Sequence, residues 1–81
     1  MKNWTHDNLN YLRKFFPIGA RIKLNYMNDA YPVPSGTKGT IKFIDDAGTI
    51  HVAWDNGSTL GVIWGEDSFE VIQEVKDDKM S

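Results

Sequence analysis

Eighty-one residues with nine basic and eleven acidic side chains and no cysteine describe one small domain that must hold together on its hydrophobic core. Disulfides and thiolate metal sites are excluded, and no apolar run approaches the roughly 18 residues of a membrane span. The net charge of −2 is uneven: five basic residues face Asp7 alone up to Met27, whereas four lysines face ten acids from Asn28 onward.

The first element reads as a helix over residues 5–16. Thr5 suits the N-cap, Asp7 the positive helix end, and Trp4 with Leu9 has the spacing of a hydrophobic staple. Leu9, Leu12 and Phe16 share one face at helical period, with Phe15 beside them. Arg13 and Lys14 favour the last turn, and Pro17 with Gly19 stops the helix. So short a helix is marginal alone and must dock. Its apolar face is expected to close one end of a barrel.

Beyond Gly19 the period becomes two. Ile22, Leu24 and Tyr26 share one strand face, opposite Arg21, Lys23 and Asn25. A turn-rich loop with two prolines covers Asn28 to Ser35. The next strand runs from about Gly39 to Ile44 with Ile41 and Phe43 inward, and Asp45-Asp46-Ala47-Gly48 turns it into a strand from Thr49 to Trp54. Asn56-Gly57 predicts a type I′ hairpin. Leu60, Val62 and Trp64 alternate on the return strand, and after Gly65-Glu66-Asp67 the last strand carries Phe69 and Val71. One helix and five short strands, too few for a sandwich, predict a mainly β fold. The expected architecture is a single five-stranded barrel over residues 1–73, with a flexible charged tail at 74–81.

Tyr31-Pro32-Val33-Pro34-Ser35-Gly36-Thr37-Lys38-Gly39-Thr40-Ile41, then Asp45-Asp46-Ala47-Gly48 and Val52-Ala53-Trp54-Asp55-Asn56-Gly57-Ser58, resemble the domain-of-unknown-function 4314 family of small bacterial and phage proteins. The resemblance runs from the helix to about Ile72. It implies an SH3-like barrel and residence in phage or mobile-element genomes, and it carries no activity and no functional residues. More distantly, Val52-x-Trp54-Asp55-Asn56-Gly57 looks like the Mib/Herc2 repeats of ubiquitin ligases, and Gly36-x-x-Gly39-x-Ile41 is similar to KOW elements. Those modules bind peptide or RNA.

The inventory argues against an enzyme. His6 and His51 are the only histidines, without metal-ligand spacing, and nothing local ties Ser35, Ser58 or Ser68 to them as nucleophiles. His51 is expected on an exposed strand face. Asp45-Asp46 and Glu66-Asp67 fall at turns, where acids bond neighbouring amides. Gly36-Thr37-Lys38-Gly39 lacks the full spacing and following helix of a phosphate loop, so both glycines read as turn residues.

Aromatics at strand ends and in the loop remain. The leading expectation is a non-catalytic, cytoplasmic, monomeric module that binds an unknown protein or peptide, with no cofactor, metal or membrane partner. Its contacts would be Tyr31, Pro32, Trp54, Asp55 and Trp64. Trp54 and Trp64 also continue apolar strand faces, which fits core or barrel-rim positions better than a binding surface. The alternative is a KOW-like nucleic-acid module, with Arg13, Lys14, Arg21 and Lys23 on phosphate and Tyr26 or Trp54 under a base. A third reading is a homo-oligomeric or virion component.

Overall fold

The computed structural model describes residues 6–73, and the side chains of residues 9–72. The proposed cap and staple at Trp4, Thr5 and Asp7, as well as the charged tail, lie outside the described backbone or side chains.

Helix α1 spans His6–Phe15, followed by strands β1 (Arg21–Tyr26), β2 (Lys38–Ile44), β3 (Thr49–Trp54), β4 (Val62–Ile63) and β5 (Ser68–Gln73). All ladders are antiparallel, in the order β4-β3-β2-β1-β5. The expected closed barrel is not formed: among the described residues β4 and β5 are the two edges, and no ladder joins them. The two edges are nevertheless consecutive in the chain. A single turn, with a bridge between Trp64 and Asp67, connects them.

The core follows the alternation. Ile22, Leu24, Ile41, Ile50, Val52 and Val62 are fully buried, and Leu12 of α1 joins them together with Ala20 and Val33. Phe16, half-buried, packs on Phe69 and Trp64 at centroid distances of 5.2 and 5.3 Å. The helix therefore docks by Leu12 and Phe16 as expected, while Phe15 turns to solvent and packs edge-on against Tyr11. Gly19 N–H donates to the Ile41 carbonyl and Ile41 N–H to the Ala20 carbonyl, so the helix exit runs directly into the β1–β2 ladder.

Two bulges break the predicted alternation. Leu24 faces Phe69 but Tyr26 faces Ser68, two steps along β1 for one along β5. Asn25 is the extra residue, so Tyr26 turns outward (58% exposed) and Met27 takes the buried place. Likewise Ile41 faces Val52 and Phe43 faces His51, with Lys42 extra. Phe43, expected inward, is 49% exposed, and Ile44 is buried instead.

The return strand is also shorter than expected. Leu60 lies outside β4 and is partly exposed. The turn before it is not type I′, which needs positive φ at both central residues. Only Gly57 has it (φ 93°), with Gly57 N–H donating to the Trp54 carbonyl and Ser58 N–H to Asn56 Oδ1.

Candidate functional site

The β4–β5 turn builds a surface depression. Trp64, Gly65, Glu66, Asp67, Ser68 and Phe69 line a shallow cavity of about 360 Å³. Trp64 stands at its wall, 48% exposed, with its other side held by Phe16 and by an edge contact to Phe69 at 6.0 Å. Asp67 fixes the turn. One carboxylate oxygen accepts from Ile63 N–H and the other from Asn28 N–H, each at 2.8 Å. The second bond reaches across the fold and ties the β1–β2 loop to the β4–β5 turn.

That tie gathers several predicted residues at one corner. Tyr26, turned outward by its bulge, sits opposite Ser68 of the cavity wall. Asn28 begins the loop that carries Asp29, Tyr31 and Pro32, and Asp29 caps Tyr31 N–H at 2.9 Å. Tyr31 is 86% exposed, and Pro32 is exposed beside it. Val33 anchors the loop in the core, its N–H meeting the Met27 sulfur at 3.4 Å. The corner thus presents exposed aromatics next to the exposed acids Asp29 and Glu66.

Trp54 and Asp55 stand apart from it. Trp54 is 3% exposed, and its indole N–H donates to the Leu60 carbonyl at 2.8 Å, so it offers no ring to a ligand. Asp55 accepts both Nη groups of Arg21 at 2.8 and 2.6 Å, while Arg21 also donates to Thr40. This fork holds the Asp55 carboxyl below the usual carboxylate range and raises the Arg21 guanidinium.

The cations proposed for nucleic acid are largely engaged. Arg21 belongs to that fork, and Lys23 lies 3.6 Å from Glu70. Arg13 donates to the Ile44 carbonyl at 3.0 Å and meets Asp46 at 3.4 Å; Lys14 is exposed on the helix. Tyr26 is exposed and pairs across the ladder with Ser68.

Phe43 and Asp67 were missed by sequence reading. Phe43 lies flat on His51, with centroids 4.2 Å apart and planes 9° apart, so His51 is half-buried rather than free on its face. His51 Nε2 is 2.8 Å from Asp45 Oδ2, and Asp45 Oδ1 accepts from Ala47 and Thr49 N–H. The His51 bond above all, then these amides, hold the Asp45 carboxyl below its ordinary value. Among the described residues no three His, Cys, Asp or Glu side chains converge as a metal site, and no helix is long and apolar enough to cross a membrane.

Comparison with known proteins decides the family. The model of the family described as "Domain of unknown function (DUF4314)" matches residues 5–72. The chain belongs to the DUF4314 family. No curated protein and no solved structure matches it. The family match spans α1 and nearly all of the sheet, including the whole β4–β5 corner.

Proposed function

We propose that this DUF4314 domain is a non-catalytic, cytoplasmic module that captures an extended protein segment containing proline and basic residues at the β4–β5 corner. One observation carries the reading: Trp64 stands half-exposed at a cavity whose rim holds Glu66, with the outward-turned Tyr26 across the ladder. Aromatic walls suit the flat faces of proline rings, and the exposed carboxylates suit Lys or Arg beside them. The acid excess from Asn28 onward favours a basic segment over nucleic acid. An SH3-like curl of the sheet belongs to the same reading. It is supported by the strand order and by the Asp67 carboxylate, which joins the loop after β1 to the turn between the two edges. Residence in phage or mobile-element genomes is the setting that the family resemblance implies.

The test is a ¹⁵N–¹H NMR titration with an acetylated and amidated Ala-Pro-Pro-Lys-Pro-Arg-Ala peptide. The Trp64 indole N–H and the Glu66, Ser68 and Asn28 amides are expected to shift together. Glu66→Lys should weaken binding about tenfold, which is about 1.4 kcal/mol. A Trp64 signal that stays still at millimolar peptide would sink the proposal. A mixed-sequence single-stranded oligonucleotide is the counter-probe. Shifts at Arg13, Lys14 and Lys23 that collapse with added salt would favour the KOW-like alternative.

A further inference from the structure

A second depression lies between the end of α1 and β2 and shares no lining residue with that corner. Arg13, Phe16, Pro17, Ile18, Phe43 and Ile44 line it, and its volume is about 270 Å³. Five of these six residues are apolar. Phe43 reaches it because the Lys42 bulge turns the ring outward, and bulges often re-aim side chains beside binding sites.

We propose that this groove receives the C-terminal residue of a partner polypeptide: a bulky apolar side chain between Ile18 and Phe43, with its free carboxylate on Arg13. The guanidinium is already positioned, since one Nη donates to the Ile44 carbonyl at 3.0 Å. Its only carboxylate neighbour among the described residues is Asp46, at 3.4 Å and with a side chain 99% exposed. That exceeds the roughly 2.7–2.9 Å of a strong charge-assisted bond, and an exposed pair of this kind contributes little. An arriving carboxylate therefore displaces Asp46 easily and gains a fork of donors. Small-molecule sites run to roughly 300–1,000 Å³, so this smaller groove suits one side chain rather than a cofactor. An internal Asp or Glu would bring the charge without the apolar group. A terminal residue carries both on one Cα. Phe16 lines this groove and backs Trp64 at the corner, but no residue lines both depressions, so either proposal stands if the other fails.

The experiment compares two peptides on the full chain by NMR: acetyl-Gly-Ser-Gly-Ser-Phe with a free carboxylate, and the same peptide amidated. The free acid should shift the Ile18, Phe43 and Ile44 amides and bind at least about tenfold more tightly than the amide. Asp46→Asn should tighten the acid, and Arg13→Met should remove the preference. Arg13 also holds Ile44, so Ile18→Glu is the second variant: it sets a carboxylate at the exposed mouth and should repel the acid without touching the core. Equal affinity for acid and amide overturns the proposal, as does a lack of shifts at millimolar acid. If 3-phenylpropionate binds as tightly as the peptide, the groove reads a small acid and the polypeptide assignment is wrong.

Discussion

Trp54 and Trp64 end two segments that look alike in sequence, Ile-x-Val-x-Trp and Leu-x-Val-x-Trp, yet they live in different regions of the molecule. Around Trp54 three strands meet. The indole packs against Gly39 of β2, and its N–H bonds to Leu60 on the far side. Around Trp64 the strand is two residues long and lies at the sheet edge, so the ring is 48% exposed, with Phe16 and Phe69 packed on it. Alternation says which face a side chain takes. Burial depends on whether neighbouring elements extend far enough to cover it, and that is a property of the whole sheet.

The sharpest way to break this comparison is to truncate both rings. Trp54→Ala removes a fully packed indole and orphans the Leu60 carbonyl, and should cost roughly 3–5 kcal/mol, enough to unfold much of a domain this small. Trp64→Ala should cost no more than about 1–2 kcal/mol, the worth of its two aromatic contacts and partial burial. Urea unfolding measures both. Similar losses would mean that the edge is packed as firmly as the centre.

Next in size is Gly39→Ala. A Cβ there would lie 2.6 Å from Val52 Cγ1, 2.8 Å from the Trp54 ring and 3.0 Å from the Ala53 carbonyl. Overpacking of this kind costs about 1–3 kcal/mol, and backbone on one side leaves little room to relax. Gly57→Val tests the adjoining turn by a different route. Space there is open, but a β-branched residue at φ 93° is strained by roughly 1–3 kcal/mol. Thermal unfolding equal to the parent in either variant would contradict the local geometry.

The corner has its own counterpart in Asp67→Ala, which should cost about 1–2 kcal/mol by leaving the Ile63 and Asn28 amides without their carboxylate. Hydrogen exchange should quicken at those two amides and leave the β2–β3 ladder unchanged. Protection lost equally everywhere would mean that the corner and the central sheet open as one unit.

These contrasts mark how far the sequence could be read. Ile22, Leu24, Ile41, Ile50 and Val52 obey period two because each is paired in register with a neighbouring strand, and their burial was legible. Tyr26 and Phe43 follow the same pattern in sequence and fail it in space, because Asn25 and Lys42 are extra residues within their ladders. A bulge is set by the register of both strands at once, so one strand's sequence does not reveal it. Both misreadings put an aromatic ring on the surface, one beside each proposed site. The acids at turns were legible as turn formers. That Asp67 would also reach Asn28 depends on a contact 39 residues away, beyond any local pattern.

The smallest expected effect concerns acid, and it separates the ion pairs of the central sheet from the rest. Asp45 and Asp55 both have carboxyls held below the ordinary value, by His51 with two amides and by the Arg21 fork respectively. A group lowered on folding binds its proton more readily in the unfolded chain. Its contribution is therefore present in full above the ordinary carboxylate range near pH 4 and is lost as pH falls through the lower folded value. Melting temperature should accordingly decline as pH falls below about 4, more gently in Asp45→Asn and Asp55→Asn than in the parent. Both pairs are open to solvent and so screened, which makes each effect modest and reducible by salt. If both variants retained the parent's full acid slope, the bonds that tie Arg21 to Asp55 and His51 to Asp45 would be geometry without thermodynamic weight. The central sheet would then owe its firmness to the packing of its buried core rather than to charge.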